Sequence, residues 1–310
     1  MRAGRRVEEG VPHGHRDPST TRFAAGITGL ALAATLAGCQ PFAPEATAPV
    51  RPTILSLNPC SDAILADVTR PGQLLAVSHY SHDPAASSMG VAAARRYRSV
   101  SGSVEEIVQL APDIVVADVF LAPTTLQALR DVGIRVVTLG SVNSVAASEA
   151  QVRDLAAVAK NRPAGERLVA RIEQALRQGA PATSAPRVSA IVWESGGIVA
   201  GDQTLIADLL RRTGFRNAAA ARGLGQADYL PLEAMLAEPP QVILTAGSEF
   251  AQEDRLLSHP ALMALQQTRR VRLDSALLWC GGPTIVRAAG ELAGLRRSLG
   301  RSPPTLAGST

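Results

Sequence analysis

The sequence predicts two α/β lobes with a helix between them, and three observations carry that expectation. The chain has 310 residues, more than one typical core holds and enough for two lobes of ordinary domain size. From Thr53 onward, short apolar runs alternate with helical patterns: "TILSL", "LLAV", "DIVVADV" and "IRVVTL", then "RVSAIVW", "QVILT" and "RRVRL" after Ala185. Strands interleaved with helices argue for parallel-rich sheets, whose binding sites lie at the carboxyl ends of the strands. Between the two sets, "PAGERLVARIEQALRQ" repeats Leu168, Val169, Ile172, Ala175 and Leu176 at helical spacing, with Pro163 suited to a first turn. That segment reads as an amphipathic helix packed on both halves, and "GAPATSAPR" reads as the loop that opens the second.

The two halves also share a stretch. In "SVEEIVQLAPDIVVAD", Ser103 is placed to cap a helix carrying Glu105 and Glu106, and Pro112 stops that helix before a strand. In "PLEAMLAEPPQVILTA", Glu233 falls in the first turn and Pro240 stops the helix before the next strand. The interval from Glu105 to Pro112 equals that from Glu233 to Pro240. Acids favour helix starts through the dipole in any case, but the matched context predicts one carboxylate at a corresponding helix start in each lobe.

Composition narrows the function. Hydrophobic residues make up 46% of the chain and charged residues 19%, a globular balance. The net charge is +4, and the segment before Cys39 supplies five arginines against three acids, so half of that excess lies there. Without an Arg-rich face interleaved with aromatics, nucleic acid is not an expected partner. The chain contains no Gly-x-Ser-x-Gly elbow, phosphate loop or His-Glu-x-x-His helix, so nothing in it calls for an enzyme.

"RFAAGITGLALAATLAGCQ" starts on Arg22, runs apolar to Leu36 and closes on small residues, the pattern of a signal peptide. Its apolar run is too short for a stable membrane span. The tetrad Leu36, Ala37, Gly38, Cys39 resembles the lipobox of bacterial lipoproteins, which implies lipidation at Cys39 and a membrane-anchored location in the periplasm or cell envelope. The expected organisation is a signal peptide at 1–38, a flexible tether at 39–52 rich in Pro, Ala and Thr, a first lobe at 53–145, a connecting helical segment at 146–180, a second lobe at 181–302 and a tail at 303–310.

Taken together, "ILSLNPCSDAILADV", "SVEEIVQLAPDIVVAD", "GIRVVTL", the connecting helix, "GDQTLIADLLRRTGFRNAAA", "PLEAMLAEPPQVILT" and "WCGGPTIVRA" resemble the substrate-binding proteins of iron-siderophore and vitamin B12 ABC importers over roughly Thr53 to Gly300. The resemblance implies two Rossmann-like lobes joined by one long rigid connecting helix, the class III periplasmic-binding-protein architecture. It also implies a monomer that hands a small metal chelate to an ABC permease dimer with a cytoplasmic ATPase. Such a protein has no cofactor of its own; its cargo is a cobalt or iron chelate. In this family an acidic residue at a helix start of each lobe docks on permease arginines, a role that falls here on Glu105 and Glu233.

Cargo contacts are expected on loops that follow strands. "SHYSHDP" resembles the stretch that supplies an aromatic wall in the vitamin B12 branch of the family, which points to Tyr80. Trp193 ends the first strand of the second lobe, and Trp279 precedes Gly281 and Gly282, which permit close backbone approach. A flat chelate needs ring faces to pack on, so both tryptophans are candidates, Trp193 being equally readable as core. His79 and His82 are candidates for polar contact with the chelate, or together with Asp83 for a bare transition metal. His259 in "SHPAL" reads as a surface residue at a helix start. Cys60 and Cys280 map to cleft-side loops of opposite lobes; they are readable as unpaired small residues, as a disulfide clamping the cleft, or as thiolates facing the chelate metal.

Overall fold

The structure, a computed structural model, describes residues 50–247 and 259–300. The signal peptide, the lipidation site Cys39, nearly all of the tether and the tail lie outside the described residues. The described residues fall within one compact unit.

The first lobe runs β1 (Ile54–Ser56), α1 (Pro59–Val68), β2 (Leu74–Ser78), α2 (Val91–Ala94), β3 (Arg98–Val100), α3 (Val104–Leu110), β4 (Ile114–Asp118), α4 (Pro123–Asp131) and β5 (Arg135–Leu139). Its sheet has the order β3-β2-β1-β4-β5 with every pair parallel. The inner strands β2, β1 and β4 are buried on both faces and read as nearly continuous apolar runs, as parallel strands do, while the edge strands β3 and β5 are partly exposed. The order reverses direction between β1 and β4, and this switch point opens a crevice at their carboxyl ends. Asn58, between β1 and α1, caps α1 by accepting from the backbone N–H of Cys60 at 2.8 Å, and Pro59 takes the first helical position.

The connection is helical throughout but built in two pieces, α5 (Val145–Val158) and α6 (Arg162–Gly179). Lys160 breaks them with a left-handed backbone (φ 51°), and Pro163 starts the second. The stripe expected from the sequence lies on α6, where Leu168, Val169, Ile172 and Leu176 are buried. α6 packs against α5 and α1.

The second lobe contains β6 (Val188–Glu194), β7 (Ile198–Val199), α7 (Leu205–Arg212), β8 (Phe215–Asn217), β9 (Asp228–Tyr229), α8 (Leu232–Ala237), β10 (Val242–Ala246), α9 (Pro260–Met263), β11 (Arg269–Arg272), α10 (Ala276–Trp279) and α11 (Pro283–Leu299). Its sheet runs β11-β10-β6-β7-β9, with β8 also paired to β6. β11, β10, β6 and β8 pair in parallel, whereas β7 and β9 form an antiparallel margin. α11 lies along α6 and also meets α1.

One hydrophobic cluster runs from Ile54 and Ile64 of the first lobe through Leu168 and Ile172 of α6 to Val192, Leu244 and Ile285 of the second. Two smaller clusters fill the outer face of each sheet. The lobes are thus fused through a shared core, and close-packed interiors resist deformation.

Candidate functional site

A cavity of about 830 Å³ lies between the lobes at the switch point, lined by both. That size suits a small-molecule site. The first lobe contributes Tyr80, Asp118 and Phe120, and the second contributes Glu194, Gln203 and Trp279. Three of these are aromatic and solvent-facing: Tyr80 is 52% exposed, Phe120 80% and Trp279 62%. Large rings left open to water in a chain with only 3% aromatics mark a surface made to be covered.

The floor is held by short-range chemistry. Asn58 Nδ2 donates to Asp118 Oδ2 at 2.9 Å, and the Phe120 backbone N–H donates to Asp118 Oδ1 at 2.8 Å. Asp118 is therefore fixed by the strand end on which it sits and by the cap of α1. Beneath, Asp62 is fully buried. Its Oδ2 accepts from the Ser78 N–H at 2.9 Å and the Ser81 hydroxyl at 2.7 Å, while Oδ1 has no hydrogen-bond partner. Burial pushes its carboxyl up to about 8, against those hydrogen bonds. Burial likewise pushes Glu194 up to about 7.

Cys60 and Cys280 form a disulfide with Cα atoms 5.0 Å apart, and both line the cavity. Of the readings open to them in the sequence, unpaired burial and thiolate contact are excluded. The bond joins the first turn of α1 to the segment after α10, tying the lobes at the edge of the cleft. The glycines beside it allow a close approach, but to the protein's own helices. A Cβ on Gly281 would overlap Ser148 of α5, and one on Gly282, whose φ is 64°, would overlap Ile64 of α1. The Gly282 N–H donates to the buried Ser148 hydroxyl at 2.7 Å.

Trp193 corrects the sequence reading. It is fully buried in the outer cluster of the second lobe, with Ile191 and Met235, and does not line the cavity. Successive side chains of a strand face opposite ways. Ile191 and Trp193 face outward to that cluster, so the next residue, Glu194, is the one that reaches the cleft. The alternation is legible in "AIVWE", where Ile191 and Trp193 share one face and Glu194 lies on the other.

The metal trio also fails to assemble. His82 Nε2 bonds the Ala94 carbonyl at 3.1 Å, and Asp83 Oδ1 accepts from the Ala85 N–H at 2.9 Å. His79 stacks on Tyr80 with ring centroids 4.0 Å apart, outside the cavity lining. Among the described residues, no group of three His, Cys, Asp or Glu is placed to hold a metal ion. His259 caps α9, its Nδ1 accepting from the Ala261 N–H at 3.2 Å.

The repeated stretch places both acids on exposed helix starts. Ser103 caps α3, and Glu106 turns back to accept from the Ser101 N–H at 2.8 Å and hydroxyl at 2.6 Å. Those bonds hold its carboxyl below the usual range. Of the two adjacent acids, Glu106 is committed to the local turn, and Glu105 projects to solvent. Glu233 is likewise exposed in the first turn of α8.

The periplasmic binding protein family matches residues 54–277, from the first strand to the start of α10 in the second lobe. The chain belongs to this family. It is a binding protein and not an enzyme. A periplasmic heme-binding protein from Pseudomonas aeruginosa is similar at a TM-score of 0.64 and 23% identity, over 79% of this chain and 92% of that one. A periplasmic heme-binding protein of Vibrio cholerae gives 0.65 and 19%, over 79% and 98%. The periplasmic vitamin B12-binding protein of Vibrio cholerae gives 0.59 and 20%, over 81% and 98%. At such identities the likeness carries the fold and not the cargo. No curated protein matches the chain. Among the described residues, no helix of this periplasmic binding protein is long and apolar enough to cross a membrane.

Proposed function

We propose that this periplasmic binding protein is a lipoprotein, anchored through Cys39, that captures a metal chelate in its cleft and delivers it to an ABC permease as a monomer. A corrinoid is the first choice, with heme or a ferric siderophore next. The observation that carries the reading is the interlobe cavity faced by exposed Tyr80 and Phe120 on one side and Trp279 on the other. Flat conjugated or macrocyclic ligands gain from burial against ring faces. Structural neighbours that bind heme and vitamin B12 make the same class of cargo the natural one to test.

Calorimetric titration with cyanocobalamin, hemin and a set of ferric siderophores tests this reading. One of them is expected to bind one-to-one. Trp279→Ala and Tyr80→Ala are each expected to weaken that binding about tenfold or more, on the scale of 1–3 kcal/mol for a buried ring contact. Unchanged affinity in both variants would remove the aromatic walls from the site.

Docking on the permease would rest on Glu105 and Glu233. Exposed charge pairs add little affinity but set register and encounter rate, which suits a carrier that must dock and leave. Glu105→Ala and Glu233→Ala are expected to cut uptake in cells severalfold each while leaving the cargo Kd within about twofold. A change in Kd with normal uptake would contradict the assignment.

A further inference from the structure

The three exposed rings of the cleft are all tied to one short stretch, Asn58 to Asp62, each by a different bond. Asn58 Nδ2 donates to Asp118 Oδ2 at 2.9 Å, and the other oxygen of that carboxylate accepts the backbone N–H of Phe120 at 2.8 Å. Cys60 is bonded to Cys280, the residue that follows Trp279. Asp62 Oδ2 accepts from the Ser78 N–H at 2.9 Å and from the Ser81 hydroxyl at 2.7 Å. Those two serines bracket Tyr80, which sits in the 3₁₀ turn His79–His82 and donates its own N–H to the Ser78 hydroxyl at 3.2 Å.

Helix geometry lets so short a stretch reach both lobes. Two residues along a helix turn through about 200°, so Cys60 and Asp62 leave the first turn of α1 on opposite sides, one toward the second lobe and one toward the end of β2. The stretch is itself firmly held. Asn58 caps α1 through the Cys60 N–H, and the following turns bury Ile64, Leu65 and Val68 in the core where α1 meets α5, α6 and α11. Asp62 is fully buried and does not line the cavity. An apolar side chain would fill its place without the cost of burying a carboxyl, but it could not hold the turn that carries Tyr80. From these bonds we infer that Asn58, Cys60 and Asp62 are positioning residues for the cargo: the start of α1 sets how far Phe120, Trp279 and Tyr80 stand from one another, and so fixes the width that a bound chelate must fill. This rests on the aromatic-wall reading above.

Double-mutant cycles pair each of these residues with its ring: Asp62→Ala with Tyr80→Ala, Asn58→Ala with Phe120→Ala, and the serine double variant of Cys60 and Cys280 with Trp279→Ala. Affinity is read by titration with whichever of cyanocobalamin, hemin and the ferric siderophores binds the wild type. Each positioning variant is expected to weaken binding about fivefold when its ring is present and by less than about twofold once the ring is gone, because groups that act through one another are not additive. Asp62→Asn keeps the oxygen that accepts from Ser78 and Ser81 and is expected to bind within about twofold of the wild type. Thermal unfolding shows which variants are folded, and Ser81→Ala replaces Asp62→Ala in the cycle if the latter is not. Losses that stay the same size after ring removal overturn the inference and leave the aromatic walls standing, as does an Asp62→Asn variant that binds as poorly as Asp62→Ala. Ring variants that all bind like the wild type, or a wild type that binds none of the probes, overturn the reading above and the inference with it.

Discussion

Replacing Cys60 and Cys280 together with serine is expected to lower the melting temperature by on the order of 10 °C. The disulfide joins positions 220 residues apart in sequence, so in the unfolded chain it closes a loop that contains most of the described protein. By loop-closure entropy a cross-link of that span stabilises the folded state by up to about 5 kcal/mol. Chains of this size lose roughly 2–4 °C per kcal/mol. The native lobes are already fused through α6 and the shared core, so the fold should survive, with its loss of stability arising chiefly in the unfolded state. Cargo binding should weaken as well, because Cys280 follows Trp279 and the bond fixes how far that ring stands from the first lobe. Calorimetric scans of the protein with and without reductant, and of the double variant, provide the check. A reduced protein melting within about 2 °C of the oxidised one would show that the bond constrains little.

Asp62 should make stability fall as pH rises, and Asp62→Asn should abolish most of that fall. Its carboxyl is raised from 3.8 to about 8 by burial beneath the start of α1. The folded state therefore holds a proton that the unfolded state has released. The stabilising contribution is complete below the unfolded value and is lost as pH climbs through the folded one. The loss can reach several kcal/mol, accumulating at about 1.4 kcal/mol per pH unit within the window. Asparagine keeps the oxygen that accepts from Ser78 and Ser81 and places its amide where Oδ1 has no partner. Urea denaturation at pH 4 and pH 8 should find the variant close to the wild type at the lower pH and more stable at the higher. Parallel pH profiles for the two proteins would refute the argument. Glu194 shifts in the same direction from 4.5 to about 7, so the comparison is cleaner in an E194Q background.

How much of this could be read from the sequence depended on how far each feature reaches along the chain. β1, β2, β4, β6 and β10 announce themselves because buried parallel strands are continuous apolar runs, whereas β5 and β11 lie at sheet margins and carry arginines. β3, β7, β8 and β9 span only two or three residues each, too short to show any period. The stripe of α6 was visible from Leu168 to Leu176, whereas the break at Lys160 that separates α5 needed the backbone. Trp279, Gly281 and Gly282 stood out together because a ring beside two glycines is unusual, but Glu194 and Asp118 were ordinary acids at strand ends. Phe120 was equally silent, since nothing local distinguishes an exposed ring from a buried one.

The sequence by itself determined the alternation of elements, the helix between the halves and the matched acids at two helix starts, because each is written in residues close together along the chain. Only the tertiary structure decided which side chains share the cleft. Cys60 bonding Cys280, Trp193 facing the core while Glu194 faces the cavity, and Glu106 folding back while Glu105 stays free all depend on strand parity and contacts. Asp62 becomes unusual only when another element covers it. Burial and pairing are properties of what surrounds a residue, and those surroundings are drawn from positions as far apart as Cys60 and Cys280.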